Sequence, residues 1–239
     1  MLSKRNCIKY KFLLPPQQAY KWCKYILITM YLITTFPSFI LIIQSEFYRF
    51  ATLEQITSKV SHFRKPDYVF LGDSITGGGR NWGLRLGILP FSTVNLSNNG
   101  YTTRQVGLLL DKAIKLKPRY ILIMAGTNDI FDQRLSDEDI KQDWRIIIEQ
   151  AKQKSTAKLV ITSVPIMADK RYDQRIIKIN KFLKELVISN GYKFIDLNEI
   201  LLSQESLNHD RNQYFSDGVH FSEITYKLWT KKIHAAVSQ

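Results

Sequence analysis

Residues 68–76 read Tyr68-Val69-Phe70-Leu71-Gly72-Asp73-Ser74-Ile75-Thr76. An unbroken apolar run containing aromatic and β-branched residues suits a strand buried on both faces, and the glycine and aspartate after it suit the turn that ends it. A strand that stops on Gly-Asp-Ser lifts the Ser74 hydroxyl to the rim of a sheet.

Similar short apolar runs follow at 91–96, 120–124, 158–163 and 192–197. Between and after them lie amphipathic stretches expected to be helices, Thr103–Leu116, Asp137–Lys152, Tyr172–Ser189 and Ser222–Ala236. Asn190-Gly191 is a helix stop, and Ser222 with Thr225 makes an N-terminal cap region. Strand and helix in alternation predict an α/β chain with a five-stranded parallel sheet covered on both faces. Right-handed crossovers bring the carboxyl ends of all strands to one edge. Asp73-Ser74, Asn98-Asn99-Gly100 and Gly126-Thr127-Asn128-Asp129 then meet on the same rim.

A serine hydroxyl attacks only with a base beside it, and that base needs a third group to hold its tautomer. Asp217-Gly218-Val219-His220 supplies both, His220 as base and Asp217, three residues earlier, as its orienter. Gly-Asp-Ser alone is an ordinary turn, and the distant Asp-x-x-His changes that reading. Of the other histidines, His62 and His234 fall on expected helix surfaces, and His209 in a polar loop lacks an aspartate three before it. Donors for an oxyanion are the backbone N–H groups of Ser74 and Gly100 and the side-chain amide of Asn128. The triplet Gly77-Gly78-Gly79 is not followed by the lysine that a phosphate-binding loop requires, which excludes that nucleotide site. It is expected to loosen the nucleophile loop, and Trp82 to line either the pocket or the core.

These blocks resemble the SGNH (GDSL-like) hydrolase family in order and spacing. The matches are Gly72-Asp73-Ser74, then Gly100 within 95–103, then Gly126-Thr127-Asn128-Asp129, then Asp217-x-x-His220, spread over residues 67–222. Asn95, Gly100 and Thr102-Thr103-Arg104 resemble the platelet-activating-factor acetylhydrolase-like branch, with Ser97 where that branch carries glycine. The resemblance implies a flavodoxin-like three-layer sandwich and acyl-ester hydrolysis through an acyl-serine. It implies Ser74, Asp217 and His220 as the triad, Ser74, Gly100 and Asn128 as the oxyanion hole, and neither metal nor cofactor. Two alternatives stay open: an O-acyltransferase passing the acyl group to a glycan, and a binding module without catalysis. The substrate class is an acyl ester of a lipid, an acylated glycan or a small alcohol.

Residues 25–43 carry no charge over 19 positions, enough for a helix to span a bilayer. Lys4, Arg5, Lys9, Lys11, Lys21 and Lys24 precede this stretch with no acidic residue, which predicts a cytoplasmic N-terminus and an extracytoplasmic body. The organisation expected is a basic tail at 1–24, a single-pass transmembrane anchor at 25–43, a helical stalk at 44–65 and the hydrolase domain at 66–239; a cleaved signal peptide and a buried helix are the rival readings of 25–43. The net charge of +13 leaves +7 for residues 44–239, scattered among helices rather than gathered into a nucleic-acid site. Cys7 and Cys23 both precede residue 25, so the body holds neither a disulfide framework nor a thiolate metal site.

Overall fold

The computed structural model describes residues 65–206 and 210–238. The expected tail and anchor, the stalk up to residue 64, and His62 and His209 lie outside the described residues. Among the described residues no helix is long and apolar enough to cross a membrane.

The sheet is built from β1 (Tyr68–Gly72), β2 (Thr93–Asn95), β3 (Tyr120–Met124), β4 (Lys158–Thr162) and β5 (Lys193–Ile195). All neighbours are parallel and the order is β2-β1-β3-β4-β5. The helices are α1 (Ser74–Gly78), α2 (Trp82–Arg85), α3 (Thr103–Leu108), α4 (Leu110–Lys115), α5 (Thr127–Phe131), α6 (Asp137–Lys154), α7 (Asp173–Ser189), α8 (Asn198–Ser206) and α9 (Glu223–Val237). The chain leaves β1 in one direction to reach β2 and in the other to reach β3, β4 and β5. That reversal is the switch point at which open α/β sheets bind ligands.

With right-handed connections the reversal also assigns the helices to two faces. On one face Phe70 stacks on Trp82 of α2 at 4.4 Å between ring centres, and Trp82 meets Trp229 of α9 edge-on at 4.8 Å. Trp229 Nε1 donates to Thr162 Oγ1 on β4, and the Tyr120 hydroxyl of β3 donates to the Val237 carbonyl. Tyr68, Phe70, Tyr120 and Thr162 therefore point toward α2 and α9. Alternation sends Val69, Leu71, Ile121, Ile123, Leu159 and Ile161 to the other face, under α3, α4, α6 and α7, and all six are buried.

The expected strands and long helices are present with shifted bounds. Two differences have physical causes. The stretch expected as one helix over Thr103–Leu116 is broken into α3 and α4: Leu109 N–H bonds to the Val106 carbonyl at 3.0 Å, a tight turn. Gly107 lies just before the break, where Ile147 of α6 comes so near that a Cβ would sit 3.0 Å from its Cγ1. Ser222 does start α9, but its hydroxyl makes no cap bond. The Tyr214 carbonyl instead accepts from Ser222 N–H at 2.9 Å and from the Thr225 hydroxyl at 2.6 Å, so the helix start is tied to the preceding loop.

Candidate active site

β1 ends at Gly72 because the chain must turn hard there. A Cβ on Gly72 would lie 2.0 Å from Thr76 Oγ1 and 2.5 Å from the Met124 carbonyl, so only glycine fits. Asp73 caps the helix that follows, its Oδ1 accepting from Ile75 N–H at 2.9 Å. Ser74 is thus the first residue of α1, with its hydroxyl half-buried at the sheet rim and a backbone N–H that has no acceptor within the helix.

His220 and Asp217 come from the opposite end of the chain. A turn closed by an antiparallel bridge between Phe215 and Phe221 and by Ser216 N–H donating to the His220 carbonyl at 2.8 Å holds them. Asp217 Oδ1 accepts from the N–H groups of Val219 and His220 at 3.1 and 2.8 Å, which turns its Oδ2 toward the ring. His220 Nδ1 stands 2.7 Å from that oxygen, and Nε2 stands 2.9 Å from Ser74 Oγ, across 146 residues of sequence. The backbone hydrogen bond from His220 and then its ring bond hold the Asp217 carboxyl down at about 2. An ionised carboxylate only accepts, so Nδ1 carries the proton and Nε2 is left to accept from the serine hydroxyl.

Gly100 and Asn128 both line one groove. Gly100 has φ +76°, a conformation that disfavours any side chain, and its N–H has no acceptor among the described residues. Two bonds fix this loop to the start of α5. Asn128 Nδ2 donates to the Tyr101 carbonyl at 2.9 Å, leaving its second N–H for another acceptor, and Thr103 N–H donates to Asp129 Oδ2 at 2.8 Å. In the sequence Asp129 stands only as the last member of the Gly126-Thr127-Asn128-Asp129 block. Its place as the clamp on the Gly100 loop is a tertiary fact.

Asp73 and Asp129 are fully buried, and one oxygen of each carboxyl lacks a hydrogen-bond partner within the described residues. Burial pushes both carboxyls up to about 6. In the unfolded chain they titrate near the ordinary value of about 4. The folded state therefore holds these protons more tightly, and the stability they confer is full below about pH 4 and lost as the pH rises through about 6. Asp73→Asn keeps the cap acceptor without the charge. Its thermal midpoint is expected to gain on wild type between pH 4 and pH 7, by about 2 kcal/mol in stability. Parallel midpoints for the two proteins across that range would contradict the assignment.

Other expectations change. Gly77, Gly78 and Gly79 do not loosen the nucleophile loop: the first two lie within α1 and Gly79 caps it. A Cβ on Gly78 would sit 2.2 Å from the Tyr226 hydroxyl and one on Gly79 2.2 Å from the Trp82 ring. They are glycines because α9 and α2 pack that closely. Trp82 is wholly buried and belongs to the core, not the pocket. His234 is exposed on α9. Ser97 uses its N–H and hydroxyl to bond Asn95 Oδ1 at 3.1 and 2.7 Å, and Asn95 Nδ2 donates to carbonyls of Thr76 and Arg80 behind α1. Two supports carried no sequence signal. The Tyr226 hydroxyl donates to the Ile75 carbonyl at 2.7 Å, bracing α1 from α9. Buried Arg211 donates to both oxygens of Asp173 at 3.0 and 2.8 Å and to the Met167 carbonyl, anchoring the start of the His220 segment.

Residues 70–228, about two thirds of the chain, match the profile of the GDSL-like Lipase/Acylhydrolase family. No curated protein matches the sequence. Among solved structures, a GDSL-like lipase from Bacteroides thetaiotaomicron is similar at 22% identity and a TM-score of 0.65, over 79% of this chain and 98% of that one. An acetylxylan esterase from Geobacillus stearothermophilus is similar at 17% identity and a TM-score of 0.62, over 72% of this chain and 94% of that one. At these identities the two structures share a fold with this chain.

Proposed function

Because the chain belongs to the GDSL-like lipase/acylhydrolase family and is an ester hydrolase, we propose that it cleaves carboxylic esters through an acyl enzyme on Ser74. Ser74 Oγ attacks the ester carbonyl carbon while its proton passes to His220 Nε2. The carbonyl oxygen, now an oxyanion, is received by the N–H groups of Ser74 and Gly100 and by the Asn128 amide. His220 returns the proton to the leaving alkoxide, which departs as the alcohol. Water then repeats the sequence on the acyl-serine, giving the free acid and restoring Ser74. Asp217 stays ionised throughout and holds the ring in the tautomer that accepts at Nε2.

The observation that carries this reading is the unbroken series of contacts, 2.9 Å from Ser74 Oγ to His220 Nε2 and 2.7 Å from His220 Nδ1 to Asp217 Oδ2. Hydrolysis is favoured over transfer to a glycan because the His220 and Asp217 side chains are 44% and 56% exposed, so water reaches the base. A fluorophosphonate probe is expected to form one adduct, which peptide mass spectrometry assigns to Ser74. An adduct on another serine, or none with active protein, would refute the assignment.

The same reading includes a membrane anchor at residues 25–43, a stalk at 44–65 and an extracytoplasmic catalytic domain at 66–239. It rests on the uncharged 19-residue stretch and the six basic residues before it. Protease added to spheroplasts should digest the body and spare a tag placed before Lys4; the reverse pattern would invert the topology. The likeness of Asn95, Gly100 and Thr102–Arg104 to the platelet-activating-factor acetylhydrolase-like branch belongs to this proposal too.

A further inference from the structure

A groove of about 920 Å³ runs between α3 and α6, and Gly100 and Asn128 are among its lining residues. We infer that this groove holds the acyl chain of the ester, and that the chain is longer than acetyl; the inference rests on the oxyanion role of Gly100 and Asn128 proposed above.

Direction comes from the chemistry of the site. His220 must hand its proton to the leaving oxygen, so the alcohol portion lies on the His220 side. That residue sits three positions before α9, which covers one face of the sheet. The oxyanion occupies the donors. The third substituent of the carbonyl carbon, the acyl chain, is directed away from His220 and past Gly100 and Asn128. α3 and α6, which bound the groove, lie on the opposite face of the sheet from α9.

The surface there suits an alkyl chain. Gly107, Leu108, Leu135, Ile146 and Ile147 form its apolar lining. Leu108 and Ile146 are 77% and 52% exposed, leaving apolar area that a bound chain would cover. Two pairs of its polar lining groups engage one another: Arg134 donates to both oxygens of Asp132 at 2.9 and 2.8 Å, and Gln150 donates to Asp111 at 2.9 Å. Along α6 the lining extends from Asp139 to Gln150, a helical length of about 16 Å, far more than acetyl fills.

The test uses the full chain and p-nitrophenyl acetate, butyrate and octanoate below their aggregation limits. For wild type, kcat/KM is expected to rise by about two- to fourfold per added CH2 from acetate to octanoate. Leu108→Asp and Ile146→Asp, both at exposed positions, should each lower the octanoate-to-acetate ratio of kcat/KM by about tenfold. Ile188→Asp, an equally exposed isoleucine at the far end of α7, should leave that ratio unchanged. A second readout is independent of turnover: Ser74→Ala protein should bind decanoate in a calorimetric titration, and addition of Leu108→Asp should abolish the heat. A chain-length profile that is flat or falls from acetate, or a ratio untouched by both groove variants, would overturn the groove assignment while leaving Ser74 chemistry intact. Turnover that survives Ser74→Ala would overturn the catalytic reading, and decanoate binding would still judge the groove.

Discussion

Ser74→Ala is expected to lower kcat/KM for p-nitrophenyl esters by about 10⁴-fold or more. The size follows from the route: without Oγ no acyl enzyme forms, and only substrate binding and the oxyanion donors are left to speed direct attack by water. The loss should not be one of folding. The Ser74 backbone belongs to α1, whose start is capped by Asp73 rather than by the serine hydroxyl. Stability should therefore stay within about 0.5 kcal/mol of wild type. A variant that folds and keeps a tenth of the wild-type rate would remove Ser74 as nucleophile.

The second large effect is expected from Asp217→Asn. Asparagine keeps an oxygen for the N–H groups of Val219 and His220, so the turn survives. Its amide nitrogen then faces His220 Nδ1, donor against donor. The ring relieves this by moving its proton to Nε2, the atom that must accept from Ser74 Oγ at 2.9 Å. A fall in kcat of about 10³-fold with little change in KM is expected, less than a sealed site would show because water reaches the exposed carboxylate and partly replaces it. Because the Asp217 carboxyl is held at about 2, its protonation does not set the acid limb of the wild-type pH–rate profile above pH 4. Unchanged kcat in Asp217→Asn would mean that the backbone alone orients His220.

Both predictions concern residues that were legible in the sequence, and the reason is local. Ser74 is marked by the apolar run before it and the Gly-Asp turn. Asp217 and His220 are three apart, close enough for one short turn to join them whatever the rest of the chain does. Gly100 and Asn128 were readable because each follows a strand, and all strand ends of a parallel sheet share one edge. Supports built from distant segments were not readable. Nothing near Tyr226 announces that its hydroxyl reaches Ile75, and nothing near Arg211 announces Asp173. The glycine triplet departs from expectation for the same cause: a loop-like run forms a helix against which aromatic groups from α2 and α9 crowd. The break at Leu109 likewise reflects the approach of α6 to Gly107.

By itself the sequence determined the alternation of strands and helices, the parallel sheet that such alternation forces, and which serine, histidine and aspartate could act together. Hydrophobic period and turn chemistry act over a few residues, so they are written in the order of the chain. Only the tertiary structure decided that Ser74 and His220 touch, that Asp73 and Asp129 are buried with raised carboxyls, and that a groove lined by Gly100 and Asn128 runs between α3 and α6. Those properties depend on which distant surfaces exclude water from one another, and packing alone sets that.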